Sequence, residues 1–474
     1  MSLLWSALAR QRFETGRKAF KCGANPPHPK GVLPLLVALS LSTTGLANDL
    51  LQKYEKAYYL ETAKGKAKEA AAIYSAIADE EPTDANQEAI KKSLLRLLDI
   101  GTKRKHEATI RDCHEKLLSK TDTSVQELVD ATAEGGTVFI PAGTHEGTVV
   151  LGKNLTLQGA GRGASILEAT SDKPLIHVPK KQEVVIASLT LKSQLETSER
   201  TDPPGCALLV QDAKATLKDC AVMALKDANR CPLGVYVQGF SDVQLLDSVF
   251  EGYAYPIFFA DGTEGLVKGC LVKNPADCGF MSHADSEVAI ENSIFAGSAK
   301  HGVRSTGGTI HLKNNLIVKN RNRGIYLGNK TTHGEITNTA IVENGCGIST
   351  FASSDIEIEN NVILGNGFSG IDTRYYGQIT VKNNIIANNE KTGFAVFEEG
   401  STKFKVGKNT FHGNGQPSTD YDLPSSTIME DPKFADAKNG DFSAGNKTVK
   451  SEGHGLVNPD VISTLWKKYE EACK

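Results

Sequence analysis

Eight apolar residues recur through the second half of this chain at a nearly constant spacing. They are Val235, Ile257, Phe280, Val303, Ile325, Ile348, Ile371 and Phe394, and successive members lie 22, 23, 23, 22, 23, 23 and 23 residues apart. All but Ile257, which follows Pro256, are preceded by Gly. From Gly136 onward, short runs of Val, Ile, Leu and Thr alternate with Gly, Asn and Asp, the punctuation of strands and turns. A period near 22 built from short strands is one winding of a parallel solenoid, in which each winding packs only on its neighbours. Leucine-rich repeats share that length but need Leu at several fixed offsets, and Leu is sparse here. The 44 glycines and 7% aromatic residues suit many turns around a narrow core.

A second column keeps the same spacing. Asp247-Ser248, Asn292-Ser293, Asn314-Asn315, Asn338-Thr339, Asn360-Asn361 and Asn383-Asn384 recur in it, and only Gly269-Cys270 breaks the polar run. Asn tolerates the left-handed backbone conformation that a sharp bend requires. Stacked winding on winding, its amide can bond to the residue above and below, as in a side-chain ladder. Asn320, Asn344, Asn366 and Asn389, just before the repeated Gly, mark another bend. These asparagines are expected to be structural.

The resulting repeat, N-N-x-I-x-x-N-x-x-x-G-I, is similar to the pectin-lyase-like superfamily of right-handed β-helices, and most like its NosD-type arrays. The resemblance covers Ser124 to Lys450. It implies an all-β right-handed parallel β-helix solenoid, here preceded by a small α-helical domain. It also implies that the asparagine bend lies between the second and third sheets. The strands beginning Gly-Ile then form the first sheet, whose outer face carries substrate in the family's enzymes. Asp431-Pro432-Lys433-Phe434 and Gly440-Asp441-Phe442 resemble the closing turn of secreted β-helix proteins acting on polysaccharides. Val461 to Cys473 reads as an amphipathic helix, expected to cover the open strand edges.

The N-terminal third has other organisation. Basic Arg17, Lys18, Lys21 and Lys30, the apolar run Val32–Leu41 and the small-x-small site Gly45-Leu46-Ala47 predict a signal region over 1–47, cleaved before Asn48. The alternative is an uncleaved anchor. Cleavage implies a secreted or periplasmic protein that is not embedded in a membrane. Residues 48–121 read as a tetratricopeptide-like helical domain, with Gly65–Tyr74 closed by Pro82 and a degenerate copy after Gly101. Such helix pairs bind protein partners or act as spacers; a plain bundle packed on the next domain is the other reading. The β-helix is expected over 122–450 and a helical tail over 451–474. Export would permit disulfides among Cys206, Cys220, Cys231, Cys270 and Cys278, although most of the cysteines suit a small core position. A net charge of −3 supplies no field for nucleic acid.

Strand alternation picks out the residues of a site. If Ile325 and its column point inward, one outward column holds Tyr236, Phe258, Met281, Arg304, Tyr326, Ser349, Asp372 and Ala395. A second, two residues on, holds Gln238, Ala260, His283, Thr306, Gly328, Phe351, Arg374 and Phe397. The turns feeding these strands add Lys300, His301, Arg321 and Arg323, and Tyr375 and Tyr376 follow Arg374. Guanidinium forks suit sugar carboxylates or sulfates, and flat rings suit sugar faces. An acidic polysaccharide is therefore the expected partner, with Tyr236, Arg323, Asp372, Arg374 and Tyr375 binding it. The alternative is an exposed solenoid face with mixed polar residues.

A lyase or C5-epimerase must neutralise a uronate carboxylate and move the neighbouring proton. Arg304 could neutralise it, with His283 and Tyr326 as base and acid. The chain lacks the Asp-Pro-His of alginate epimerases, and Gly453-His454-Gly455 lies beyond the repeats and reads as a loop. Asp372 is the one acidic residue in the two columns, which disfavours glycoside hydrolysis by paired carboxylates. No dense acidic or His/Cys/Met cluster predicts a metal, and no cofactor is expected. A non-catalytic scaffold or adhesive protein is the rival reading. Insertions at Ser193–Pro204 and Ala224–Cys231 would wall one end of the groove.

Overall fold

The computed structural model describes residues 44–473, apart from 197–203, 226–231, 330–331, 353–354, 375–376 and 398–402; of residues 44–48 it describes the backbone alone. The leader segment lies almost wholly outside these residues. Three parallel sheets of twelve strands each wind together as one right-handed solenoid. Along the chain each winding contributes a strand to the second sheet, then to the third, then to the first. The second sheet runs from Thr137–Ile140 to Lys403–Val406, the third from Gly143–Glu146 to Thr410–His412, and the first from Val149–Val150 to Gln416–Thr419. The eight-residue apolar column lies in the first sheet. Its members pair in unbroken register, Val235 on Ile257 through to Ile371 on Phe394, and all are fully buried.

The asparagine bend separates the second and third sheets, and it divides its work between two positions. The first takes the left-handed conformation, as in Asn314 (φ 58°), Asn360 (φ 55°) and Asn383 (φ 58°), while Gly269 does so at the break in the column. The second points inward and builds the ladder. Asn361 Nδ2 donates to Asn384 Oδ1 (3.0 Å), and Asn384 Nδ2 to Asn409 Oδ1 (3.0 Å). The other bend repeats the device through Asn320, Asn344, Asn366, Asn389 and Asn414, at 2.8–3.2 Å. Cys220 and Cys270 occupy ladder positions, and their backbone N–H groups donate to Ser248 and Ser293. Among the described residues no disulfide forms: Cys206, Cys220, Cys270 and Cys278 are free buried thiols. Each sits as a small buried side chain at its own place in the solenoid, and Cys270 and Cys278 lie at different bends and strands of one winding. Cys231 lies outside the described residues.

Helices α1 (Thr44–Thr62), α2 (Ala67–Ala78), α3 (Gln87–Lys103), α4 (Glu107–Lys120) and α5 (Val125–Ala131) precede the solenoid. Their apolar residues, including Leu94, Leu117 and Leu128, are continuous with the β-helix core. They close its first winding, whose edge strands would otherwise expose unpaired peptide groups. The Gln126 side chain acts as a substitute peptide, accepting from Val150 N–H (2.7 Å) and donating to Val150 O (3.3 Å). Phe139 N–H donates to Nδ1 of the fully buried His114 (3.1 Å), and Arg111 stacks on the Phe139 ring at 4.2 Å.

Burial pushes the His114 pKa down to about 4, from about 6.5 in an unfolded chain. The unfolded state therefore binds the proton first. The stability of this cap should be intact above about pH 6.5 and decline as pH falls towards 4. The protection factor of the Phe139 amide should fall over that window in the native protein, and stay nearly constant in His114→Gln. An unchanged protection factor down to pH 4 would refute this.

At the far end, Tyr421 packs on Phe394 and Phe404, and Ile428 bridges the last third-sheet strand by accepting from Phe411 N–H (2.8 Å). This segment, and not the C-terminal helix, covers the open edge. Helices α6 (Lys447–Ser451) and α7 (Pro459–Ala472) instead belong to a clasp along the outside of the third sheet. Outward residues there are apolar: Leu271, Ile294, Leu316, Ala340, Val362 and Ile385 bury against Phe442, Ile462, Leu465, Trp466 and Tyr469. A face of that composition needs a cover, and the amphipathic helix supplies it. The Gly-His-Gly segment is part of the clasp, with His454 buried and its Nδ1 2.8 Å from Thr410 Oγ1.

Candidate functional site

The outer face of the first sheet is built by register. Phe258, Met281, Arg304, Tyr326, Ser349, Asp372 and Ala395 follow one another across paired strands, as alternation requires. The repeated Gly adds what alternation alone does not supply. Pairing skips it, and at Gly302 and Gly324 a Cβ would meet the carbonyl of the next winding at 2.7 and 2.9 Å. The residue before each Gly is thereby set beside the outward column. His301 and Arg323, expected in feeding turns, are strand residues of this face together with Tyr255, Cys278 and Cys346.

Tyr326 stands at the centre. Its ring lies back over Gly328, where a Cβ would come within 2.9 Å of the hydroxyl. The His301 ring stacks on it at 5.3 Å and 18°, and the guanidinium carbons of Arg304 and Arg323 lie 5.7 and 5.4 Å from its centroid. Two strands further on, Arg374 sits 4.7 Å over Phe397, which stacks on Phe368 at 6.4 Å. The Nε atoms of Arg304, Arg323 and Arg374 are buried without a hydrogen-bond partner, as is His301 Nδ1. Among the described residues, none of these arginines is in an ion pair. Burial first, then Arg323 and Arg304, pushes the His301 pKa down to about 4, so its ring is neutral near neutral pH.

His283 lies towards the other end. It meets Phe258 edge-on at 4.8 Å, Phe258 meets Tyr236 at 5.2 Å, and His283 Nδ1 is 3.7 Å from Asp261. Burial lowers its pKa, Asp261 opposes that, and Arg304 adds to it. Arg304 and Tyr326 are thus together, whereas the strands of His283 and Tyr326 are two spacings apart, roughly 10 Å. It is His301, not His283, that contacts Tyr326. On the near rim Lys300 pairs with Asp277, to which the Cys278 thiol donates (3.0 Å), and burial beside Asp277 pushes the Tyr255 pKa up to about 12.

Asp372 is on the outward column yet only 2% exposed, like Ser349, while Ala395 is fully buried. Burial raises its pKa; Ser349 and the Arg323 and Arg374 charges pull it back. Its Oδ1 has no hydrogen-bond partner. Tyr375 lies outside the described residues, as do the central parts of both insertions. We call this outer face of the first sheet the trough. Two concavities of about 500 and 740 Å³ lie elsewhere, one beside Arg111 and Phe139 and one beside Trp466 and Tyr469. Among the described residues no group of three His, Cys, Asp or Glu side chains could hold a metal ion, and no helix is long and apolar enough to cross a membrane.

Fold and face together define a class, a right-handed parallel β-helix with a cationic, aromatic outer sheet. The family model described as "Right handed beta helix region" matches residues 192–339 and 280–431, together half of the chain. The chain belongs to this right-handed β-helix family. No curated protein sequence matches it. Among solved structures it is similar to the A-module of the mannuronan C-5 epimerase AlgE4 of Azotobacter vinelandii, at 16% identity over 65% of this chain and 95% of that one (TM-score 0.46). The periplasmic alginate epimerase AlgG is similar at 15% identity over 65% and 82% (TM-score 0.46). The catalytic unit of a GH87 α-1,3-glucanase from Streptomyces thermodiastaticus is similar at 15% identity over 64% and 68% (TM-score 0.40).

Proposed function

We propose that the trough binds an acidic polysaccharide lying along the solenoid axis. The observation that carries this reading is the set of three guanidinium groups, Arg304, Arg323 and Arg374, held on aromatic rings and, among the described residues, in no ion pair. Fixed positive charge beside flat rings complements a chain of sugar faces and carboxylates. As an enzyme it would be a polyuronate lyase or C5-epimerase. Arg304 would neutralise the carboxylate, and Tyr326 with His283 or the nearer His301 would move the proton. The distance between the strands of His283 and Tyr326, two spacings, favours a second reading, a non-catalytic scaffold or adhesive protein. Export to the periplasm or beyond belongs to the proposal. So does a protein partner on the tetratricopeptide-like helices, where Leu51, Tyr58 and Tyr59 of α1 are exposed.

Depletion from solution by immobilised alginate, pectate and a neutral glucan tests the reading. Retention on one polyuronate, absence of retention on glucan and release by salt are expected, because the contacts are ionic. Equal retention on glucan, or none on any polyuronate, would overturn it. Gain of ultraviolet absorbance with that polyuronate identifies a lyase, and NMR of the recovered polymer identifies an epimerase. Retention with neither supports the scaffold reading.

A further inference from the structure

Asp372 poses a physical problem that its neighbours define. It stands in the outward column of the first sheet, where a side chain should meet solvent, but it is 98% buried. Its Oδ1 lacks a partner, although Arg323 and Arg374 are near enough to act on its charge. Those two guanidiniums also have Nε groups with nothing to bond. An acid and two forks are therefore set beside one another with hydrogen-bonding capacity left over on both sides. A protein that used Asp372 only to anchor these arginines would close the gaps with bidentate pairs.

We infer that Asp372 couples ligand binding to proton uptake: a sugar carboxylate takes Arg323 and Arg374 from Asp372, and Asp372 binds a proton as the ligand settles. The inference rests on the trough being a carboxylate-binding face. Two carboxylates beside one pair of guanidiniums repel, and the buried one is the cheaper to neutralise. The protonated acid is then uncharged in its buried setting, where an ionised carboxyl is costly. The described groups that face it are Arg374 on its own strand, Ser349 and Cys346 one winding back, and Arg323 two windings back. Ala395 is its register neighbour on the following strand and carries no charge.

The sign follows from linkage. Before binding, burial raises the Asp372 pKa and the arginines hold it down. A bound carboxylate screens the arginines and adds a like charge, so the pKa rises further. The ligand therefore prefers the protonated protein. Affinity increases as pH falls between the bound-state and free-state values, by up to about tenfold per pH unit for one linked proton.

Titration calorimetry of the full chain with oligomers of alginate and of pectate, in buffers of different ionisation enthalpy, reads the proton count directly. Uptake approaching one proton per site is expected on binding. Asp372→Asn should abolish the uptake, flatten the pH dependence and keep the neutral-pH affinity equal to or tighter than that of the native protein. Asp372→Ser repeats the test with a side chain the column already accepts at Ser349. His311→Asn, on a second-sheet strand away from the trough, should leave the uptake in place. Binding without proton uptake, or uptake that persists in both Asp372 variants, would overturn the inference and leave the trough reading standing. Absence of binding to either polyuronate would remove that reading and the inference with it.

Discussion

Asn384→Ala should cost the solenoid about 3–6 kcal/mol, because one amide satisfies three windings at once. Its Oδ1 accepts from Asn361 N–H (2.9 Å) and Asn361 Nδ2 (3.0 Å). Its Nδ2 donates to Ile358 O (2.8 Å), Lys382 O (2.9 Å) and Asn409 Oδ1 (3.0 Å). Asn361, Asn384 and Asn409 are all fully buried, so water cannot replace what is lost. Each buried group left without a partner costs about 1–3 kcal/mol, and two or three are stranded here. Asn384→Ser should recover part of the loss, since Ser248 and Ser293 fill the same column and accept from the backbone N–H of the winding before. A solenoid does not unfold as one unit, so the loss is best read locally. Amide exchange at Asn361 should accelerate by two orders of magnitude or more, and the apparent urea midpoint should fall. A variant within about 0.5 kcal/mol of the parent would show that the ladder is dispensable.

The winding of this protein was legible because its period is long, repeated and chemically simple. Inward Val, Ile and Phe at intervals of 22 or 23 residues cannot be satisfied by an isolated strand. What stacking requires of the bends was also visible, although the sequence reading asked one Asn to turn the chain and build the ladder. The backbone assigns the turn to Asn360 and the ladder to Asn361. The place of the C-terminal helix was not legible. Third-sheet strands such as Leu316–Val318 and Val362–Leu364 are three residues long, too short for alternation to separate an inner from an outer face. Their outward apolar residues give no sign in the sequence of where the cover comes from, and the clasp lies far along the chain from them.

The site was legible in its columns and not in its contacts. Alternation placed Arg304, Tyr326 and Asp372 on one face, and Arg374 in the second column. It also placed His283 there, but no periodicity tells which histidine meets Tyr326. That depends on the irregularity at Gly302 and Gly324, which turns His301 and Arg323 from loop residues into members of the trough. The repeated Gly was the available signal, and its consequence appears only when one winding's α-carbon is set against the next winding's carbonyl. The burial of Asp372 was equally hidden, since alternation alone assigns it to an outward column.

Removing Arg304 and Arg323 together should reduce affinity for a polyuronate by a hundredfold or more, the largest functional effect expected of any pair in the trough. Both guanidiniums lie within 6 Å of the Tyr326 ring, so a carboxylate seated there would meet two forks. Hydrogen bonds to a charged group contribute about 1.5–3 kcal/mol each, and loss of two such contacts is about 3–5 kcal/mol when they act on one ligand. Among the described residues neither arginine is in an ion pair, and Asp372, which loses the Arg323 charge, can take up a proton, so Arg304→Ala/Arg323→Ala should unfold within a few degrees of the parent. Lysine should rescue little at either position, because it keeps the charge but loses the planar fork and the stacking on Tyr326. The salt dependence of binding should flatten in the double variant, whereas Arg104→Ala, on the helical cap, should change neither affinity nor salt dependence. If the double variant binds polyuronate as the parent does, the cationic trough is not where the polymer lies.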